Sequence, residues 1–458
     1  MLDPKTQTSP LSELDTFLKK HPDIELVHVI LTDPVGIQRG KGLRPHELKS
    51  VYETGRAFPS SMFALTVLGE DVEESGLLWE IGDRDCFATP IPGTLKRTPW
   101  LDRTGQVYLS FGAEAGPIAA ADPRLRLQLV SERMKKDGYH PVLAIELEFY
   151  LLDKAAARDG KIQPAMAPGG IYNDQIQVYS IQELDDFDPF LRELYAACDA
   201  QGLPAESVIS EYAPGQMEIT LTHRADALQA VDEAIQYKRL VKGVAEKHGM
   251  IACFMAKPFS DQAGSGMHIH LSLNDAKGNN LFASEEPAGN PLLHQAIGGM
   301  ASTINDSMAI FAPNANSYRR FRRNTYAPVA PTWGVNNRTV SFRIPAGPAK
   351  SRHVEHRISG ADANPYLAAA AVLAGMHHGI VNRIDPGPAT TGNGYETKTE
   401  GLMLNWFDAL DAFEDSKFIA DYFGPSFVKI FSAVKRAECE RFFAQVTDFD
   451  YRWHLRTA

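Results

Sequence analysis

The sequence predicts an α+β chain in two parts, a small mixed unit over residues 1–115 and a larger one over residues 116–458. Three observations carry that reading. Short apolar stretches separated by Gly, Pro and Asp fill the first part. A Gly- and Ala-rich bridge, GAEAGPIAAADP at residues 112–123, then interrupts the pattern. Beyond it, long helical patterns alternate with strand-like stretches that carry carboxylates and imidazoles.

In chain order, LSELDTFLKKH reads as a helix and ELVHVILTD as a strand ending in a turn at Pro34-Val35-Gly36. LLWEIGD and QVYLSF read as further strands. After the bridge, apolar positions recur at helical spacing in PRLRLQLVSERMKKDG, ADALQAVDEAIQYKRLVKGVAEKHG and ANPYLAAAAVLAGMHHGI. Between them, VLAIELEFYLL, SVISEYAPGQMEITL, SGMHIHLSL and NRTVSFRIP read as strands, DPGPATTGNGYETKTEG as a surface loop, and the end as two helical segments broken at Gly424-Pro425.

Composition narrows the function classes. With 44% hydrophobic and 22% charged residues over 458 positions, the chain is an ordinary globular protein with ample length for a large core. A net charge of −11 argues against nucleic acid or an anionic membrane as partner. The four cysteines lie far apart, without the spacing of a zinc knuckle or a disulfide framework. The N-terminus lacks the basic-then-apolar order of a secretory signal, and the longest apolar helical stretch, about residues 366–376, is too short to span a bilayer. A cytoplasmic protein is expected.

The chemistry-bearing residues come in pairs. Glu146 and Glu148 in AIELEFYLL, and His268 and His270 in GSGMHIHLSL, are two apart on strands, so each pair aims at one place. Glu211 and Glu218 flank a turn signal at Pro214-Gly215, and Glu355 stands two before Arg357. A lone Glu-x-Glu is more often an exposed face, and a lone His-x-His more often no ligand pair. Their company in one predicted unit favours a site. Five converging carboxylates repel one another, and two divalent cations nearly cancel them. Oxygen-dominated ligands favour magnesium or manganese over zinc or copper.

Arginines supply the opposite charge, as Arg319, Arg320, Arg322 and Arg323 in NSYRRFRRNTY and Arg338 and Arg343 in NRTVSFRIP. Of the four-arginine run, only one or two are expected at a ligand. On a flat strand Arg338 and Arg343 face opposite ways, so both reach the site only through a bend. GIQRGKG at residues 36–42 is one residue short of a phosphate-binding loop and lacks its Ser or Thr.

The segments IELEFY, SEYAPGQMEI, KPFSDQAGSGMHIHLS, NSYRRF, NRTVSFRIP and VEHRISGADANPYLA, in that order, resemble glutamine synthetase of type I over nearly the whole chain. The resemblance implies a β-grasp-like N-terminal domain (1–115) and a larger α/β catalytic domain (116–458) with an antiparallel sheet. It further implies ATP as substrate and two or more Mg2+ or Mn2+ ions. One ion would lie on Glu148, Glu211 and Glu218, the other on Glu146, His268 and Glu355. Glu206, His270, Ser272 and Lys350 match nucleotide-side positions. Arg338 and Arg343 match those facing the transferred phosphoryl group, and Gly264, Arg320 and Arg357 those around glutamate. A homo-oligomer is implied, a dodecamer of two hexameric rings with each site between subunits.

Two departures redirect the substrate. Where ammonia-using members carry an Asp and a Glu, this chain has Phe58 in AFPSS and Tyr326 in TYAP. Rings in place of acids suit an organic amine better than ammonium. The resemblance is therefore to the γ-glutamyl-amine ligases, which join glutamate to polyamines or monoamines, with Glu211 as base and Phe58 of one subunit facing Tyr326 of the next. Ala263 stands where ammonia-using members have Asn beside glutamate. A glutamine synthetase using ammonia and a non-catalytic scaffold are the competing readings. The acidic run GEDVEESG is a candidate for the far nitrogen of a diamine.

Overall fold

Two sheets organise the chain in the computed structural model, which describes residues 10–167, 169–170 and 174–458. Residues 1–9, on which the expectation of no secretory signal partly rests, lie outside these.

The first sheet holds β1 (Leu26–Thr32), β2 (Gln38–Leu43), β3 (Arg56–Pro59), β4 (Asp85–Pro90), β5 (Lys96–Arg97) and β6 (Thr104–Phe111). Its order is β2-β1-β6-β4-β3, with β5 also on β6. The central pair β1 and β6 is parallel and the other pairs are antiparallel. First and last strands thus lie side by side, with helix Leu48–Thr54 crossing between β2 and β3, as a β-grasp-like unit requires. GIQRGKG folds as the turn and second strand of the β1–β2 hairpin.

LLWEIGD, expected as a strand, is not one. It forms a 3-10 turn at Trp79–Ile81, closed by left-handed backbone at Gly82 (φ 69°) and Asp83 (φ 43°), and pairing starts only at Asp85. Two consecutive positive φ angles reverse the chain and cannot continue a ladder. The bridge also folds, into the short helix Pro117–Ala121. Asp122 then caps helix Pro123–Lys136, its carboxylate accepting from Arg124 N at 2.8 Å and Leu125 N at 3.1 Å.

The second sheet holds β7 (His140–Asp153), β8 (Ala205–Ser210), β9 (Gln216–Leu221), β10 (Met250–Cys253), β11 (Met267–Asn274), β12 (Trp333–Val335), β13 (Phe342–Ile344) and β14 (Val354–His356). Its order is β12-β13-β14-β11-β7-β9-β8, with β10 also on β7. All pairs are antiparallel except β12 with β13. One face of β7 presents Ile145, Leu147, Phe149 and Leu151 to the large core, which includes helices Ala227–Lys247 and Pro365–Asn382. Period-two alternation turns Glu146 and Glu148 to the other face.

NRTVSFRIP is shorter as a strand than its sequence suggests. Pairing begins at Phe342, so Arg338 lies in the preceding loop and escapes the alternation that would have opposed it to Arg343. The last helices break at Gly424 (φ 85°), as expected. Helix Pro425–Phe443 then reaches the first sheet: Ile430 is buried in the small core, and Glu438 accepts from Val67 N at 2.7 Å. Lys435 pairs with Glu438 at 2.8 Å, both side chains almost wholly buried. Among the described residues, no helix is long and apolar enough to cross a membrane.

Candidate active site

Strand register assembles the site. On β7, Glu146 sits opposite His268 of β11 and Glu148 opposite Glu218 of β9. His270 pairs across to Glu355 of β14, and Glu355 across to Arg343 of β13. Five strands therefore carry acid, imidazole and guanidinium side by side on one face. Glu211 arrives from the β8–β9 turn, where its N–H donates to Gln216 O at 2.8 Å. Gly215 makes that turn possible, with φ of 69° and a Cβ position only 2.9 Å from Leu151 O. The expected return of Glu211 toward Glu218 is what the structure shows.

Three ligand groups result: Glu148 with Glu211 and Glu218; Glu146 with Glu218 and His268; and Glu146 with His270 and Glu355. The first is the trio expected for one cation. The second and third share Glu146 and divide the expected partners His268 and Glu355 between them. His268 Nδ1 lies 2.6 Å from Glu146 and 3.6 Å from Glu355, so the three expected second-ion residues are still neighbours.

Electrostatics shows the strain of this crowding. Burial and then the charge of Glu211 push Glu148 up to about 8. Burial and then Glu146 raise Glu211 and Glu218 as well. Glu146 goes the other way: burial would raise it, but hydrogen bonds from His268 and His270 hold it well below the usual range. Glu355 is likewise brought to about 2, because the Arg357 charge overcomes burial. A floor of carboxylate oxygens, three of them held against ionisation by burial and by neighbouring carboxylates, fits divalent cations.

The arginines border this floor. Arg357 contacts Glu355 Oε1, and Arg343 Nη1 donates to Glu355 Oε2 at 2.8 Å. Among the described residues, neither Nε–H has a partner. Arg320 is 5% exposed and is fixed by donation to Ile358 O at 2.7 Å. Gly264 packs flat against it, since a Cβ there would stand 2.8 Å from Arg320 Cγ. Of the four-arginine run, Arg320 and Arg322 line the cavity.

Two adjoining cavities result. One of about 360 Å3 is walled by Glu148, Glu211, Gly264, Arg320, Arg357 and Tyr326 among others. The other, about 330 Å3, holds Glu146, Glu218, Arg338, Arg343, Glu355 and again Tyr326. Tyr326 is 55% exposed with a left-handed backbone (φ 59°), and Tyr395 anchors the next residue by donating to Ala327 O at 3.0 Å.

Other expected residues fall further out. His270 and Ser272 continue along β11, with His270 Nε2 3.3 Å from Glu146. Glu206 and Lys350 are exposed, and Glu206 accepts from Thr222 at 2.9 Å. Phe58 is not at the site of its own chain: its ring is 1% exposed within the small core, with Lys41 Nζ 4.8 Å from its centroid. That ring is spent on its own domain and offers no face to a neighbour. Two members of the acidic run have partners of their own, Glu70 paired to Arg441 and Glu73 accepting from Trp79 Nε1.

The sequence reading missed His223 and His353, which crowd His270 with ring centroids 6.2 and 5.3 Å from it. His353 had a signal, being two before Glu355 as Arg357 is two after. His223 had none, since it lies in a loop beyond β9.

Comparison with known proteins places this geometry. The family described as glutamine synthetase, catalytic domain, matches residues 120–454. Gamma-glutamylputrescine synthetase PuuA of Escherichia coli (strain K12) is 40% identical over 450 residues, 97% of this chain and 95% of its own length. Glutamate–isopropylamine ligase of Pseudomonas sp is 31% identical, over 96% of this chain and 95% of its own. The solved structure titled GmaS/ADP complex-Conformation 1 superposes with a TM-score of 0.84 at 29% identity, over 96% of this chain and 99% of its own. The carboxylate rows, the arginine border and these matches agree, and the chain belongs to the glutamine synthetase family, in the subgroup of relatives named for joining glutamate to amines.

Proposed function

We propose that this chain is an ATP-dependent ligase that joins the γ-carboxylate of glutamate to an organic amine, a polyamine or monoamine, through a γ-glutamyl phosphate. The observation that carries it is the position of Tyr326, a ring on the shared wall of the two cavities, beside Glu211 and with no second acid in its place. The relatives named for putrescine and isopropylamine support the same reading.

Arg320, Arg357 and Gly264 receive the glutamate carboxylate. Arg338 and Arg343 face the phosphoryl group and draw its charge as it moves from ATP to the γ-carboxylate. Glu206, His270, Ser272 and Lys350 take the nucleotide side. Magnesium or manganese ions on the six ligands supply charge neutralisation for the phosphates. An alkylammonium of pKa about 10.4 must lose a proton before attack. Glu211, which lines both cavities together with Tyr326, accepts that proton. The amine nitrogen then bonds to the acyl carbon and phosphate leaves.

A glutamine synthetase using ammonia needs acids around the ammonium, and Tyr326 supplies none. A non-catalytic scaffold has no reason to keep six ligand positions in register. Cytoplasmic assembly into two stacked hexameric rings is part of the proposal; exposed apolar residues near the C-terminus, Phe443, Phe449, Trp453 and Leu455, are surface suited to self-association. The division near residue 115 rests on the two sheets and their cores. The test is phosphate release from ATP with glutamate and a panel of amines. Organic amines should outpace ammonium by more than tenfold, and the reverse order refutes the proposal.

A further inference from the structure

The mouth of the site is lined by rings that the reaction itself does not use. Tyr212 follows Glu211 directly and, with Tyr326, walls both cavities. Tyr179 joins them on the second cavity. All three are open to solvent, at 60% for Tyr179, 46% for Tyr212 and 55% for Tyr326. Ile176 and Val178, also exposed, stand beside them.

The backbone that carries two of these rings is constrained. Tyr179 has a left-handed backbone (φ 59°) and donates its N–H to Ser210 O at 2.9 Å, at the end of β8 and next to Glu211. Tyr326 has the same φ of 59°. A bulky residue in that region is strained, and such strain persists where the surroundings impose it, commonly at ligand sites.

Among the described residues that line the first cavity, the acids are Glu148, Glu211 and Asp261. Glu148 and Glu211 belong to the reacting end. Asp261 shares the cavity lining with the cations Lys257 and Arg322, and its charge acts on Lys257. Of the acidic run in the small unit, Glu70 is paired with Arg441 and Glu73 accepts from Trp79 Nε1. What remains beside Glu211 is aromatic. The face of a tyrosine ring attracts an ammonium group, and several rings around one mouth form the usual cage for an organic cation.

We propose that Tyr179 and Tyr212, with Tyr326, bind the non-reacting ammonium of an aliphatic diamine through their ring faces, while Ile176 and Val178 cover its methylenes. The inference rests on the ligase reading and names its substrate class. The reacting nitrogen lies at Glu211 and the hydrocarbon arm spans to the rings. Selectivity over a monoamine comes from the rings rather than from a carboxylate.

The experiment compares 1,4-diaminobutane with n-pentylamine, which carries a methyl where the diamine has its far ammonium. Values of kcat/KM come from ATP- and glutamate-dependent phosphate release for the wild type, Tyr179→Leu, Tyr212→Leu and Tyr212→Phe. The wild type should prefer the diamine. Each Leu variant should lose about threefold of that preference, the scale of one partly exposed cation–π contact, and Tyr212→Phe should keep it, because the ring face remains. A diamine-to-monoamine ratio unchanged in both Leu variants overturns the inference and leaves the ligase standing. A loss in Tyr212→Phe equal to that in Tyr212→Leu also overturns it, by assigning the effect to the hydroxyl. Absence of any amine-dependent phosphate release in the wild type fails the ligase reading, and this inference with it.

Discussion

Metal-free protein should become less stable as pH rises toward neutrality, and Glu148 should account for much of the loss. Its carboxyl goes from an ordinary 4.5 to about 8, first through burial and then through the charge of Glu211. The folded state thus prefers the proton. Below about pH 4.5 the full stabilising effect is present, and it is lost as pH climbs through 8. At about 1.36 kcal/mol per pH unit, that rise corresponds to an upper limit of roughly 5 kcal/mol. Glu148→Gln removes the effect together with the push of Glu148 on Glu218, because an amide cannot ionise yet keeps an oxygen to accept the Gly266 N–H, a bond of 2.9 Å in the native protein. Urea denaturation in the presence of a chelator, at pH values from 5 to 8.5, should show the two proteins nearly equal at pH 5. At pH 8 the variant should be more stable by several kcal/mol, up to that limit. Magnesium should restore the wild type at pH 8, since ions bound only by the folded chain raise its stability by mass action. Parallel pH curves for the two chelated proteins would show that Glu148 is not the strained group and refute the reasoning.

Four further outcomes are expected. Arg320→Ala should raise the KM for glutamate about ten- to a hundredfold, the scale of a lost charge-assisted contact, while the KM for ATP moves little; steady-state kinetics in both substrates decides it. Tyr326→Glu should improve use of ammonium relative to organic amines, measured as the ratio of phosphate-release rates, and a ratio unmoved in that direction counts against the ring-for-acid argument. Phe58→Ala should cost about 3–5 kcal/mol in denaturant unfolding, as truncation of a core ring does, because its 1% exposure makes it packing. Lys435→Met, which strands the buried Glu438, should destabilise by about 3–5 kcal/mol, and a change under 1 kcal/mol would contradict the buried pairing seen here.

The metal-facing row was legible because it is built from period-two strands. Glu146 with Glu148 and His268 with His270 announce a common face from sequence, and the register that sets Glu146 against His268 follows once β7 and β11 pair. Glu211 was legible through the Pro-Gly turn that returns the chain. What sequence could not supply was partnership across distant loops. His223 joins His270 only through tertiary approach, and the mouth tyrosines gather from loops far apart in the chain. LLWEIGD misled because its apolar residues fit a strand while Gly82 and Asp83 take left-handed angles. The acidic run misled in the opposite sense: its charges were visible, but their partners Arg441 and Trp79 were not. Phe58 stands where family resemblance expects an amine contact, yet nothing local to AFPSS says that its ring turns inward.

Ile430 and Glu438 close the small unit from near the end of the chain. On a ribosome, the N-terminal sheet therefore emerges several hundred residues before the side chains that seal it. Until helix Pro425–Phe443 has been made, that sheet keeps an open apolar seam, and chains released before it carry a first unit that lacks its lid.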